Sequence, residues 1–156
     1  MILDKLLEYS LAQDIGQTAD TYPSTNVVDH GAANAAVGLM TEAYVYVDVV
    51  EAITSGGSAT IDLQFQTSTD EAFTSPVVLR ATGALAYTLW NTNAGPGGAE
   101  GAGGPFFFKV PLGVLRYTRL AYVIAGATTT AGTVNAGITL NPQRSRSYPD
   151  RVNFTN

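Results

Sequence analysis

Ser58–Thr67 reads SATIDLQFQT, and that alternation limits what the chain can fold into. Ile61, Leu63 and Phe65 fall on one side of an extended backbone, and Asp62, Gln64 and Gln66 on the other. A strand with one buried face has this pattern. Ala43–Ile53 alternates as well, with Val45, Val47 and Val49 on one face and Tyr44 and Tyr46 on the other. Both of its faces are apolar, which predicts a central strand or one whose outer face meets a partner. The four residues between these strands, Thr54-Ser55-Gly56-Gly57, predict a tight connection and hence a hairpin.

The same period predicts strands at Thr25–Asp29, Pro76–Ala81, Phe106–Val110, Tyr117–Ala125 and Thr133–Asn141. In the last of these, Val134, Ala136, Ile138 and Leu140 form the inward set, and Asn135, Gly137 and Thr139 the outward one. Gly126–Gly132 reads as a Thr-rich turn. Helical spacing occurs only at the start, where Ile2, Leu3, Leu6 and Leu7 predict a short helix or a docked arm. That pattern ends by Asp14, and Gly16–Ser24 is turn-like. Seven or eight short strands with Gly, Thr and Pro turns predict an all-β fold, a single-domain jelly roll or β-sandwich. The expected division is an N-terminal arm over 1–23, a β-sandwich core over 24–142 and an extended C-terminal tail over 143–156.

Asn91–Pro105, NTNAGPGGAEGAGGP, interrupts this regularity. A phosphate cradle needs GxxxxGK[ST], and a dinucleotide turn needs GxGxxG opening a helix; neither is present. As a linker it would leave only about fifty residues for a second core, too few for comfort. What remains is a long surface loop, either mobile or ordered by a neighbour, and the second reading is adopted.

Charged residues are only 13% of the chain, about half the usual ~25%. The surface must therefore be largely neutral, which suits a protein packed against something and equally suits a Thr-rich β-surface. The net charge of −5 argues against a nucleic-acid footprint. Residues 1–142 hold five Lys/Arg against twelve Asp/Glu, whereas 143–156 hold Arg144, Arg146 and Arg151 against Asp150. A basic tail on an acidic body either docks on an acidic neighbour or is simply solvated. Absence of cysteine excludes disulfides, thiolate catalysis and Cys-based metal sites. Asp4 and Glu8 interrupt the opening apolar stretch, so it does not read as a signal peptide, and no apolar run approaches the ~18 residues of a membrane span. The expectation is a soluble protein made in a cytoplasm.

Catalytic chemistry finds little to use. His30 is the only histidine, so a His-based metal cluster is excluded, and Asp29 beside it would point to the opposite face of a strand. No GxSxG elbow accompanies it. Asp48, Glu51, Asp62, Asp70 and Glu71 are available for a glycosidase-type carboxylate pair. Asp62, however, lies on the polar face of its strand, and Asp70-Glu71 falls in a turn where Asp bonds its own backbone. Trp90 with Asn91 and Asn93, or Tyr44 with Tyr46, can form a sugar platform, although such aromatics more often fill a core or an oligomer interface. No enzyme activity, cofactor or metal is expected.

Three stretches carry a family likeness: STNVVDHGAA (Ser24–Ala33), QTSTDEAFTSPVVLRAT (Gln66–Thr82) and PFFFKVPLGVLRYTRLAYVIAGATTTAGTVNAGITLNPQ (Pro105–Gln143). In this order they resemble the Bbp16-like capsid cement proteins of tailed bacteriophages. The resemblance implies a β-module on the outer face of an HK97-type capsid. There it would bridge major capsid protein subunits and strengthen the head against internal DNA pressure. It also implies self-association as a homodimer or homotrimer, no nucleic-acid or membrane partner, and residence in the virion after synthesis in the host cytoplasm. The residues expected to bind partners are Ile2, Leu3, Leu6 and Leu7 of the arm, Trp90, Asn91 and Asn93, and Arg144, Arg146, Tyr148 and Arg151 of the tail. The alternative is a receptor- or carbohydrate-binding β-module of a tail or fibre.

Overall fold

The computed structural model describes residues 5–31, 43–91 and 106–140. A short 3-10 turn, Lys5–Leu7, leads into ten strands. These are β1 (Glu8–Asp14), β2 (Thr21–Pro23), β3 (Val28–Asp29), β4 (Tyr44–Ser55), β5 (Thr60–Ser68), β6 (Val77–Ala81), β7 (Leu85–Ala86), β8 (Phe106–Lys109), β9 (Tyr117–Ala125) and β10 (Thr129–Thr139). One helical turn, α1 (Tyr87–Trp90), follows β7. The strands form two antiparallel sheets, one in the order β1-β10-β4-β8 and the other β2-β9-β5-β6, with β3 also on β9 and β7 also on β5. The fold is an all-β sandwich.

Alternation places the core. Val45, Val47 and Val49 of β4, with Val134, Ala136 and Ile138 of β10, face Ile61, Leu63 and Phe65 of β5 and Leu120, Tyr122 and Ile124 of β9; all are buried. Each such large side chain contributes about 1.5–3 kcal/mol by leaving water. Phe65 sits at the centre of an edge-to-face aromatic chain, 6.2 Å from Tyr9 and 6.1 Å from Phe108 between ring centroids. Such geometry matches ring edge to ring face and adds to the burial.

Three expectations need correction. The Ala43–Ile53 and Ser58–Thr67 strands do not form a hairpin: β4 pairs with β10 and β8, while β5 pairs with β6, β7 and β9. The Thr54–Gly57 connection crosses from one sheet to the other. A hairpin and such an arch both turn two apolar faces into one core, so periodicity alone cannot separate them. Leu140, expected inward, is exposed, because β10 ends at Thr139. The N-terminal segment also differs from an arm: after the 3-10 turn, β1 adds to β10 and β2 adds to β9. Tyr9 anchors it, fully buried, and register shifts on either side of Ser10 leave Ser10 buried too.

The β9–β10 connection is a second arch beside the first, since Ser55 is paired with Thr129 and Thr60 with Ala125. The two are stitched together by hydroxyls. Thr54 Oγ1 and Thr130 Oγ1 are 2.8 Å apart, and Ser55 Oγ donates to the Thr128 carbonyl at 2.7 Å. Buried Thr129 joins the residues after β1 to this end, its Oγ1 donating to the Ile15 carbonyl and accepting from the Gln17 amide. One end of the sandwich is thus closed by covalent crossings. Lys5, His30, Ala43, Val110 and Leu140 lie at or near the other.

Candidate functional site

That second end is built from the first residues of β1, β4 and β9 and the last residues of β5, β8 and β10. Glu8 pairs with Gly137, Thr139 with Tyr44, and Tyr44 with Lys109, so these rungs lie at one end of the first sheet. The Val110 amide donates to the Ala43 carbonyl one step beyond. In the second sheet, Val77 pairs with Thr67 and Thr67 with Thr118. A 2.6 Å hydrogen bond between the Tyr9 hydroxyl and Thr118 Oγ1 joins the two sheets here. Several large apolar side chains lie bare on this end: Leu6 is 82% exposed, Leu112 91%, Leu140 57% and Val77 49%. Leu6, Val77 and Leu140 lie at or beside strand ends, where the outermost rung has no further rung to cover it, and Leu112 lies in the β8–β9 connection. Exposed leucines at one end of a charge-poor domain are the kind of surface that docking would use.

The strand edges are less receptive. β6 carries a bulge against β5, β1 is irregular against β10, β8 has four residues, and β2 and β3 are shorter still. Bulged and short edges resist strand addition. Ala12, at φ +46 in β1, is held by its amide donating to Asn135 Oδ1 at 2.6 Å. Contacts with other molecules are therefore better served by the end and the faces than by the edges.

The electrostatics of the end centre on β3. Asp29 accepts from Arg116 Nε and Nη2, both at 3.0 Å, in a two-pronged exposed pair. The guanidinium holds the Asp29 carboxyl below its usual range. His30, next in the chain, turns the other way and places Nε2 2.7 Å from Thr118 Oγ1. Burial lowers its proton affinity, outweighing the pull of Asp29. On the outer face of the first sheet, Tyr46 packs over Gly137, where a Cβ would come within 2.8 Å of its ring. Burial there, with Glu8 and Asp48 nearby, pushes its hydroxyl up to about 12.

Trp90 does not belong to this surface. It is wholly buried, with its indole Nε1 donating to the Ile61 carbonyl at 3.4 Å, so it supplies neither a sugar platform nor a partner contact. Asn91 is likewise committed internally. Its amide brackets Ile53, accepting from the backbone N–H at 2.9 Å and donating to the carbonyl at 2.7 Å. The pair acts as a plug and a latch between α1 and β4. Leu7 packs against the core, and Leu6 reaches solvent. Ile2, Leu3, Asn93, Arg144, Arg146, Tyr148 and Arg151 lie outside the described residues. Asp48 and Asp62 stand on opposite outer faces of the sandwich, and Asp62 bonds Gln64 and Thr82, so these two do not flank a common substrate. Asp70 caps its own turn through Ser68 and Thr74. Among the described residues, no three His, Asp or Glu side chains come together as a metal site, and no helix is long and apolar enough to cross a membrane.

The buried Tyr9–Thr118–His30 chain had no signal in the sequence, because its three members are far apart and individually ordinary. Leu140 was expected on the inward face of its strand, and Leu112 falls between two expected strands, where alternation assigns no face.

Comparison with known proteins gives one assignment. The model of the family described as Bbp16 matches residues 9–138, a span containing every strand but the ends of β1 and β10, and the chain belongs to that family. No curated protein matches the sequence.

Proposed function

We propose, with membership of the phage-related Bbp16 family as the premise, that this chain is a capsid cement protein: it binds the outer face of a major capsid protein lattice and strengthens the head against internal pressure. The observation that carries the reading is the family match over nearly the whole sandwich. The bare leucines at one end, the blunted strand edges and the low charge support it, since they fit a module that works by docking. Binding without chemistry suffices for such a role. Many copies on a symmetric lattice, each burying a moderate interface, gain avidity from their number. Self-association as a dimer or trimer belongs to the same reading.

Copy number tests it. Quantitative mass spectrometry of purified particles is expected to give this chain a simple lattice ratio to the major capsid protein. A handful of copies per particle would point instead to a receptor-binding module of a tail or fibre, and absence from particles would end the structural reading. The double variant Leu112→Ser, Leu140→Ser tests the surface. Both side chains are exposed, so the unfolding free energy should stay within about 0.5 kcal/mol of wild type. Affinity for emptied capsids should fall by about tenfold or more. Unchanged capsid binding would move the contact away from this end.

A further inference from the structure

His30 is the only histidine of the chain, and its surroundings form a one-way hydrogen-bond chain. The Tyr9 hydroxyl lies 2.6 Å from Thr118 Oγ1, which lies 2.7 Å from His30 Nε2. Tyr9 and Thr118 are fully buried and His30 is partly buried. Two hydroxyls and one ring nitrogen share two bonds, and the arrangements of protons fall into two classes. In the first, Nε2 is bare: Tyr9 donates to Thr118, Thr118 donates to Nε2, and no hydrogen is left over. In the second, Nε2 carries a hydrogen, so three hydrogens compete for two bonds, and either the phenolic or the Thr118 hydroxyl hydrogen is left without an acceptor among the described residues. A buried donor left idle is costly, so the first arrangement holds, with the neutral ring carrying its proton on Nδ1.

We infer that Tyr9, Thr118 and His30 form an acid-sensitive latch that fastens the β3 segment to β1 and β9 while the ring is neutral and loosens when it takes up a proton. Protonation puts a hydrogen on Nε2 and strands one hydroxyl hydrogen, that of Tyr9 or of Thr118, in the core. The relief is for the ring to leave Thr118, taking with it the rungs Val28–Thr118 and Asp29–Tyr117 and the His30 amide bond to the Arg116 carbonyl.

Among the described residues, the groups facing the ring are few. Asp29 on its own strand favours the cation, but that carboxylate is engaged by Arg116 from the loop before β9. From β1 comes only the Tyr9 phenol, which burial keeps neutral. Desolvation is the larger influence on His30, so its folded proton affinity lies below the ordinary 6.5. The sign follows: the unfolded chain binds the proton more readily, so the latch is fully stabilising above pH 6.5. Its contribution fades as pH falls through the lower folded value.

With one histidine, the test is direct. NMR of the full chain should show the Nδ1–H tautomer at neutral pH and a titration midpoint below 6.5. Hydrogen exchange at residues 28–30, corrected for intrinsic rate, should accelerate about five- to a hundredfold on acidification in the wild type. In His30→Gln, whose amide oxygen accepts from Thr118 at every pH, it should not. An Nε2–H tautomer, a midpoint at or above 6.5 in the wild type, or equal acceleration in His30→Gln would overturn the latch.

Discussion

Trp90→Ala should lower the unfolding free energy by about 3–5 kcal/mol, the range for truncating a fully buried aromatic. The indole is the largest of the fully buried side chains, and it comes from a single helical turn packed between β4 and β7. Asn91 bonds both backbone groups of Ile53 and the Tyr87 amide donates to the Ala59 carbonyl, so α1 is tied at both ends and cannot sink into the cavity by a small shift. The Ile61 carbonyl loses its indole donor as well. At about 2–4 °C per kcal/mol for a chain of this size, thermal unfolding should drop by roughly 6–20 °C. Urea unfolding with an unchanged slope checks that the native state, rather than the denatured one, has changed. A loss below about 1 kcal/mol would mean that the indole is not packed as described.

Gly126→Ala should cost about 2 kcal/mol or more, from a single methyl. Gly126 opens the β9–β10 arch at φ +80, and a Cβ there would lie 2.6 Å from the Ser58 carbonyl oxygen. That oxygen belongs to the neighbouring arch, and the next rung, Thr60–Ala125, leaves the two backbones no room to part. Gly56, in the same arch as Ser58, is the control: a Cβ there meets nothing within 4 Å. Gly56→Ala should therefore unfold within about 0.5 kcal/mol of wild type. Equal losses for both variants would show that the arches tolerate crowding and are not closely stacked.

How much of this was legible depends on whether a feature is local. β4, β5, β8, β9 and β10 stand close to where alternation predicts them, because one buried face per strand writes itself into every second residue, and β6 also stands at its expected place although it buries no residue. The sheet to which each strand belongs is not local. Thr54–Gly57 reads as a tight turn in either topology, and only the partners of Ser55 and Thr60 reveal the crossing. β1 escaped notice because its register shifts break the period and bury Tyr9 and Ser10 together. Trp90 illustrates the opposite hazard: a lone aromatic beside a glycine-rich loop looks available, and three-dimensional packing alone shows that it is a core residue. The leucines at the open end were visible as leucines, but their exposure depends on where each strand stops.

The neighbourhood of β1 and β10 has a mechanical side. Both run to the same end of the sandwich as adjacent antiparallel strands, with Glu8 opposite Gly137. Tension applied between residue 5 and residue 140 would peel these strands apart one rung at a time, like a zip, instead of shearing all their bonds at once. Strain entering at residues 5 and 140 therefore meets little resistance, whereas strain spread across the sheet faces meets the whole interlocked body and its paired crossings.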